Sequence, residues 1–209
     1  MEIEAAHVLW SAPERERAGR PLLIMLHGHR MTESVGFELR HHLPSELVLA
    51  SVRGPRQAGG GFAWFPLDAS LTPEVIDQSA AALLRWLDQV APDGPVGILG
   101  FSQGVATAFQ LVRRVPERFA YAVNLSGAVV PFPAQGDAAL TKQRLPMFWG
   151  RGDKDPIIPG LLVDSTRWWL RRHTDLTERI YPGLGHNVSP AELADLNAFL
   201  TRQIAPAPA

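Results

Sequence analysis

Six short, almost unbroken apolar runs, each ending in Gly, Pro or a charged turn, constrain the fold of this chain most. They are PLLIMLHG from 21, ELVLASVRGP from 46, PVGILGFS from 95, YAVNLSGAVV from 121, PMFWGRGD from 146 and ERIYPGLGH from 178. A strand with one wet face alternates apolar and polar residues, whereas a strand covered on both faces reads as a continuous apolar run. The six runs therefore predict strands of a mostly parallel sheet with helices on both sides. The first ten residues alternate more loosely and predict an added edge strand.

Helical stretches separate the runs. Within residues 73–90, Val75, Ile76, Leu83, Leu84, Leu87 and Val90 recur near the 3.6-residue period, with Thr72 placed to cap and Pro73 at the first helical position. Residues 103–114 and 160–173 also predict helices, and Trp168 and Trp169 in the second place one ring outward, for an interface or a neighbouring loop. Ser189, Pro190, Ala191 and Glu192 form a capping-box pattern that opens the last helix. Strand and helix alternate throughout, so the expected class is a three-layer α/β fold.

The chain of 209 residues is expected to form one domain over 1–209, with disorder confined to the tail IAPAPA, chiefly 205–209. About fifteen residues join the run ending near Val130 to the one starting at Pro146, too few for an inserted lid domain. The longest irregular piece, residues 54–71, follows a strand and falls among the loops at the carboxyl edge of the sheet, where such folds bind ligands.

Composition excludes several classes. The formal net charge is −1 and the charges do not cluster, so no nucleic-acid partner is expected. No window approaches 18 unbroken apolar residues and the N-terminus is acidic, so neither stable membrane insertion nor a secretory signal is expected, and the default location is cytoplasmic. Cys is absent, which removes disulfides, thiolate metal sites and a Cys nucleophile. There is no GxxxxGKS or GxGxxG pattern to suggest a nucleotide cofactor.

Chemistry centres on Gly100, Phe101, Ser102, Gln103 and Gly104, a GxSxG pattern between an apolar run and a small-residue helix. A sharp strand-to-helix turn holds the Ser hydroxyl clear of the backbone, and the glycines two positions either side remove clashes in the turn. A Ser hydroxyl needs a base near neutrality, which means a His oriented by a carboxylate. Of seven His residues, His186 stands in GLGHNVSP, between the last apolar run and the capped final helix, where it can hang over the carboxyl edge. His41 and His42 sit at a polar helical end, and His173 ends an Arg-rich helix, where a cation complements the dipole. Asp155, in RGDKDPIIP with Pro156 stiffening its loop, is the first choice for the carboxylate; Asp153 is the alternative. Attack of such a Ser on a carbonyl would make an oxyanion, which needs two donors, assigned to the backbone N–H groups of Gln103 and His29. Phe62, Trp64 and Phe65, after Gly59, Gly60 and Gly61, either wall a substrate pocket or pack the loop down. A zinc site on His27 and His29 lacks further ligands in HRMTES, so no metal is assigned.

GFSQG, with LHG, GDKDPIIP and GHNVSP in order over about residues 20–200, resembles the carboxylesterase/phospholipase family of small α/β hydrolases, which includes acyl-protein thioesterases and lysophospholipases. The resemblance implies the α/β-hydrolase fold, a triad of Ser102, Asp155 and His186, and an oxyanion hole from the residues after HG and after Ser. Arg30 departs from it, standing where the family often has the second Gly of HGxG, and Trp149 with Gly150 stand where it often has HG. The expected function is hydrolysis of small carboxylic esters of short to medium acyl length, extending to lysophospholipids or thioesters, by a monomer or homodimer without cofactor or metal. The alternative is a noncatalytic α/β-hydrolase-fold protein that binds a ligand or partner.

Overall fold

The computed structural model of the chain describes residues 1–67 and 72–205. The first half comprises β1 (Val8–Trp10), β2 (Leu22–Leu26), α1 (Glu33–Glu38), β3 (Val48–Val52), β4 (Arg56–Ala58), β5 (Gly61–Ala63) and α2 (Pro73–Val90). The second comprises β6 (Val96–Phe101), α3 (Gln103–Arg114), β7 (Tyr121–Leu125), α4 (Asp137–Gln143), β8 (Leu145–Gly152), α5 (Gly160–His173), β9 (Thr174–Tyr181) and α6 (Pro190–Ile204). Each of the six apolar runs contributes a strand, the helices predicted over 73–90, 103–114 and 160–173 coincide with α2, α3 and α5, and the capping-box pattern opens α6. The expected tail of 205–209 falls mostly on 206–209, which lie outside the described residues, as do 68–71 of the irregular piece; Ile204 ends α6 and Ala205 is its C-cap residue.

The main sheet has the order β1-β3-β2-β6-β7-β8-β9, with β1 antiparallel to β3 and the other neighbours parallel. Helices cover both faces, giving a three-layer α/β fold. Side chains alternate between two apolar cores, as the period-2 geometry of a strand requires. Leu22, Ile24 and Leu26 of β2 join the core beneath α2, α3 and α5, and Leu23 and Met25 join the one beneath α6. Burying each such side chain contributes about 1.5–3 kcal/mol. The chain runs from β2 to β3 on one side of the sheet and crosses back to place β6 on the other side of β2. Such a reversal opens a crevice at the carboxyl ends of β2 and β6.

Shorter elements escaped the sequence reading. The short helix α1 lies against the sheet through Gly36, where an added Cβ would come within 2.9 Å of Ser51 Oγ. The start of α4 is organised by Asp137, whose carboxylate receives Arg113 Nε at 2.7 Å and the Ala134 amide at 3.0 Å. Arg113 is itself buried and donates to the Val130 carbonyl at 2.9 Å. At the N-terminus of α2, Thr72 occupies the cap position, but its side chain makes no capping bond. Trp169 is buried and Trp168 is 64% exposed, so one of the two rings does face outward. His173 corrects its expected role: it is buried, bonded to Thr141 Oγ1 at 2.7 Å and packed on Trp169, and burial lowers its pKa, so it is not a dipole-facing cation. Among the described residues, no helix is long and apolar enough to cross a membrane.

Candidate active site

The turn from β6 into α3 places Ser102 at φ 51°, ψ −116°, a conformation that few non-glycine residues adopt. Both flanking glycines are required by close approach. A Cβ on Gly100 would meet the Val105 nitrogen at 2.5 Å, and one on Gly104 would run into the Leu26 carbonyl. The Ser102 amide donates to the Leu125 carbonyl at 3.0 Å, tying the turn to β7.

His186 lies in the loop between β9 and α6, and Asp155 in the loop after β8. The structure brings both to Ser102. His186 Nδ1–H donates to Asp155 Oδ2 at 2.8 Å, and Ser102 Oγ donates to His186 Nε2 at 2.8 Å. The Phe101 ring lies 5.2 Å from the imidazole, tilted 41° to it, a contact the sequence reading missed. The Asp155 side chain is 0% exposed. Burial by itself raises its pKa, but the bond from His186 and the amides of Ile157 and Ile158 outweigh that and hold it below the usual carboxylate range. Asp153 is turned elsewhere: its Oδ1 accepts from the Gly183 amide at 2.7 Å.

The loop after β2 lies beside this chain of bonds because Leu26 and Gly100 are register partners. Among the described residues, neither the His29 amide nor the Gln103 amide has a hydrogen-bond acceptor within the protein. Arg30, in the place of the second glycine, adopts φ 61°, so the loop takes a glycine-like conformation with an arginine in it. His27 Nδ1–H donates to the Gly28 carbonyl at 2.7 Å and Nε2 accepts from the Gly54 amide at 2.9 Å, which leaves neither nitrogen for a metal.

The three aromatics of the 54–71 segment separate. Trp64 corrects the pocket-wall reading: it is fully buried and its indole N–H donates to the His27 carbonyl at 2.8 Å, so it packs the loop down. Phe62 lies against the Arg53 guanidinium, 4.5 Å from its ring centre, and Phe65 lines a cavity. The Gln103 side chain fastens this segment to the residue after Ser102, accepting from the Trp64 amide at 2.9 Å and donating to the Phe65 carbonyl at 2.7 Å. Its backbone role was expected from sequence; its side-chain role had no signal there.

At the opposite end of the His186 loop, Ser189 Oγ accepts from the Glu192 amide at 3.1 Å, as the capping pattern predicts. The reciprocal half is missing. Both Glu192 carboxylate oxygens are buried above Gly150 with no hydrogen-bond partner among the described residues. Desolvation pushes this carboxyl up to about 7, partly offset by the Ser189 amide, which leans toward it outside bonding geometry, and reinforced by Asp195.

A seven-stranded, mostly parallel sheet with Ser, His and Asp joined at its carboxyl edge defines an α/β-hydrolase fold. A profile of the phospholipase/carboxylesterase family matches residues 13–204, and the chain belongs to that family of esterase- and thioesterase-type hydrolases. It is 28% identical over 165 residues to acyl-protein thioesterase 1 of Kluyveromyces lactis, a match covering 70% of this chain and 72% of the relative. Among solved structures it is similar to esterase PE8, with a TM-score of 0.76 and 24% identity over 98% of this chain and 100% of that one. A carboxylesterase of Bacillus cereus superposes with a TM-score of 0.77 at 20% identity, covering 94% of this chain and 93% of that one.

Proposed function

We propose that the protein is a serine carboxylesterase that cleaves small, water-soluble esters of short to medium acyl length through an acyl-enzyme on Ser102. The observation that carries this reading is the unbroken Asp155–His186–Ser102 chain of 2.8 Å bonds ending on a strained, glycine-flanked serine. His186 Nε2 takes the Ser102 proton as Oγ bonds to the ester carbonyl carbon, and Asp155 steadies the imidazolium that forms. The carbonyl oxygen becomes an oxyanion facing the free amides of His29 and Gln103, each worth ~3 kcal/mol to the transition state. Collapse expels the alcohol, which receives the proton from His186. Water then attacks the acyl carbon, His186 takes its proton, and the carboxylic acid leaves as Ser102 regains its hydrogen.

A cavity of ≈ 430 Å³, lined by His29 and Phe65, has room for a compact acyl or alcohol group. The same acyl transfer works on a thioester, the bond in the name of the Kluyveromyces lactis relative. The test is kcat/KM of the purified protein on acetyl, butyryl, octanoyl and palmitoyl p-nitrophenyl esters and on a butyryl thioester. The reading predicts a maximum at acetyl or butyryl and a fall of at least about tenfold by palmitoyl. A maximum at palmitoyl, or no turnover across the series, contradicts it.

A further inference from the structure

The cavity beside the candidate active site is cationic. It is lined by His29, Arg30, Arg56 and Phe65, and no acidic residue is among its described lining residues. Two hydrogen-bonded segments build it. The Arg30 amide donates to the Phe62 carbonyl and the Phe62 amide to the Met31 carbonyl, both at 2.8 Å, so the loop after β2 is stitched to the β4–β5 hairpin. Phe65 is fastened to Gln103, which directly follows Ser102. The cavity is thus held beside the loop that carries the His29 amide and against the segment bonded to Gln103.

Its polar groups lack partners. Arg56 Nε and His29 Nδ1 are buried with no hydrogen-bond partner among the described residues, and the remaining contact of the Arg56 guanidinium is a long 3.4 Å bond to Gln78. Arg53, which lies against Phe62, by contrast pairs with Glu33. A buried guanidinium nitrogen left unpaired is costly, and an incoming anion removes that cost. Arg30 holds a left-handed backbone conformation that disfavours most side chains, yet it carries a guanidinium to this rim.

The geometry points to an acid-recognition subsite: the cavity takes a carboxylate or phosphate group carried by the ester substrate, gripped by Arg56 and Arg30 with His29 beside them. This deepens the esterase reading and rests on it for turnover, though not for binding. A guanidinium fork matches the paired oxygens of either anion, and His29, whose amide faces the oxyanion, lines the same cavity, so an anion held there belongs to the substrate whose carbonyl Ser102 attacks. The substrate class is an ester whose acyl or alcohol part ends in an acid.

The experiment compares kcat/KM for matched esters: mono-p-nitrophenyl succinate against p-nitrophenyl butyrate for an acyl-side carboxylate, and butyryl glycerol phosphate against butyryl glycerol for an alcohol-side phosphate. The subsite predicts a preference of roughly 10- to 100-fold for the anionic member of at least one pair, and the pair that shows it identifies the source. Arg56→Gln should collapse that ratio, Arg56→Lys should restore part of it, and added salt should shrink it. Binding is measured separately, as the thermal shift given by succinate and by inorganic phosphate to wild type and Arg56→Gln. Turnover of neutral esters with a ratio near one, insensitive to Arg56→Gln, overturns the subsite and leaves the esterase standing. No turnover of any ester, with a thermal shift lost in Arg56→Gln, overturns the esterase and leaves the subsite. Absence of both ratio and shift overturns the subsite. Asp68, next in the chain after the lining residue Leu67, lies outside the described residues. If Asp68→Asn gains a preference that wild type lacks, the chain's own carboxylate is the occupant and the proposal fails.

Discussion

Replacing Ser102 with Ala is expected to lower kcat on p-nitrophenyl butyrate by about 10⁴- to 10⁶-fold while leaving the melting temperature near that of wild type. Ser102 Oγ makes a single bond within the site, to His186, so its removal takes away the attacking atom and little packing. His186→Ala should fall in the same range. The double variant should be no worse than either single one, because the two groups act as a unit and the activity left comes from substrate binding and the oxyanion donors. Asp155→Asn tests orientation separately. Asp155 is held ionised by His186 and two backbone amides, and an amide in its place presents the wrong partner to Nδ1, with an expected loss of about 10⁴-fold. Steady-state assays with circular dichroism check all four variants. An Ser102→Ala protein with wild-type activity would remove the mechanism.

A second large effect concerns stability and pH. The Glu192 carboxyl has a folded-state pKa of about 7 against an ordinary value of 4.5, so the folded chain holds that proton more tightly than the unfolded chain does. Between these two values the folded state binds more protons, and stability must fall as pH rises. The favourable contribution is complete below the unfolded value, is lost progressively through the folded one and levels off above it. Glu192→Gln lacks this dependence. The difference in unfolding free energy between wild type and Glu192→Gln should therefore shift by roughly 2 to 3 kcal/mol against wild type from about pH 5 to pH 8. Taking the difference cancels the opposite contributions of Asp137, Asp155 and Glu178, whose pKa values are lowered. Urea titrations at the two pH values read it directly; a difference that does not vary with pH would show that the buried carboxylate has found a partner.

The same glutamate shows what the linear chain makes legible. The cap half of the Ser189–Glu192 pattern is local, one side chain to one amide three residues on, and it forms. The other half depends on what lies above the helix, and there Gly150 and the sheet close over the carboxylate. Strands buried on both faces announced themselves as apolar runs. The partly exposed edge strand β9 begins at Thr174 with TDLTE, four residues ahead of its apolar run, because its outer residues need not be apolar. The helices α1 and α4 have too few residues for a periodic pattern and owe their positions to Ser51 and Arg113, contacts distant in the chain.

In the site, Ser102 stood out because its turn demands glycines two positions either side, and His186 because it falls between the last apolar run and the capped final helix. Asp155 and Asp153, two residues apart, differ only in which way the loop points them, which Pro156 hinted at and the bonds to Ile157 and Gly183 distinguish. Arg30 was legible only as a departure from HGxG and Arg56 gave no signal, because their meeting at one cavity follows from the bridge between Met31 and Phe62, which no local pattern encodes.

The central claim is that ester cleavage passes through an acyl group on one serine oxygen, and trapping that species tests it most directly. Wild-type protein mixed with excess p-nitrophenyl butyrate and quenched in acid within the first turnover should carry one butyryl group by intact mass, mapped to the peptide holding Ser102. Turnover without any adduct, or an adduct mapped to a different residue, would contradict the account.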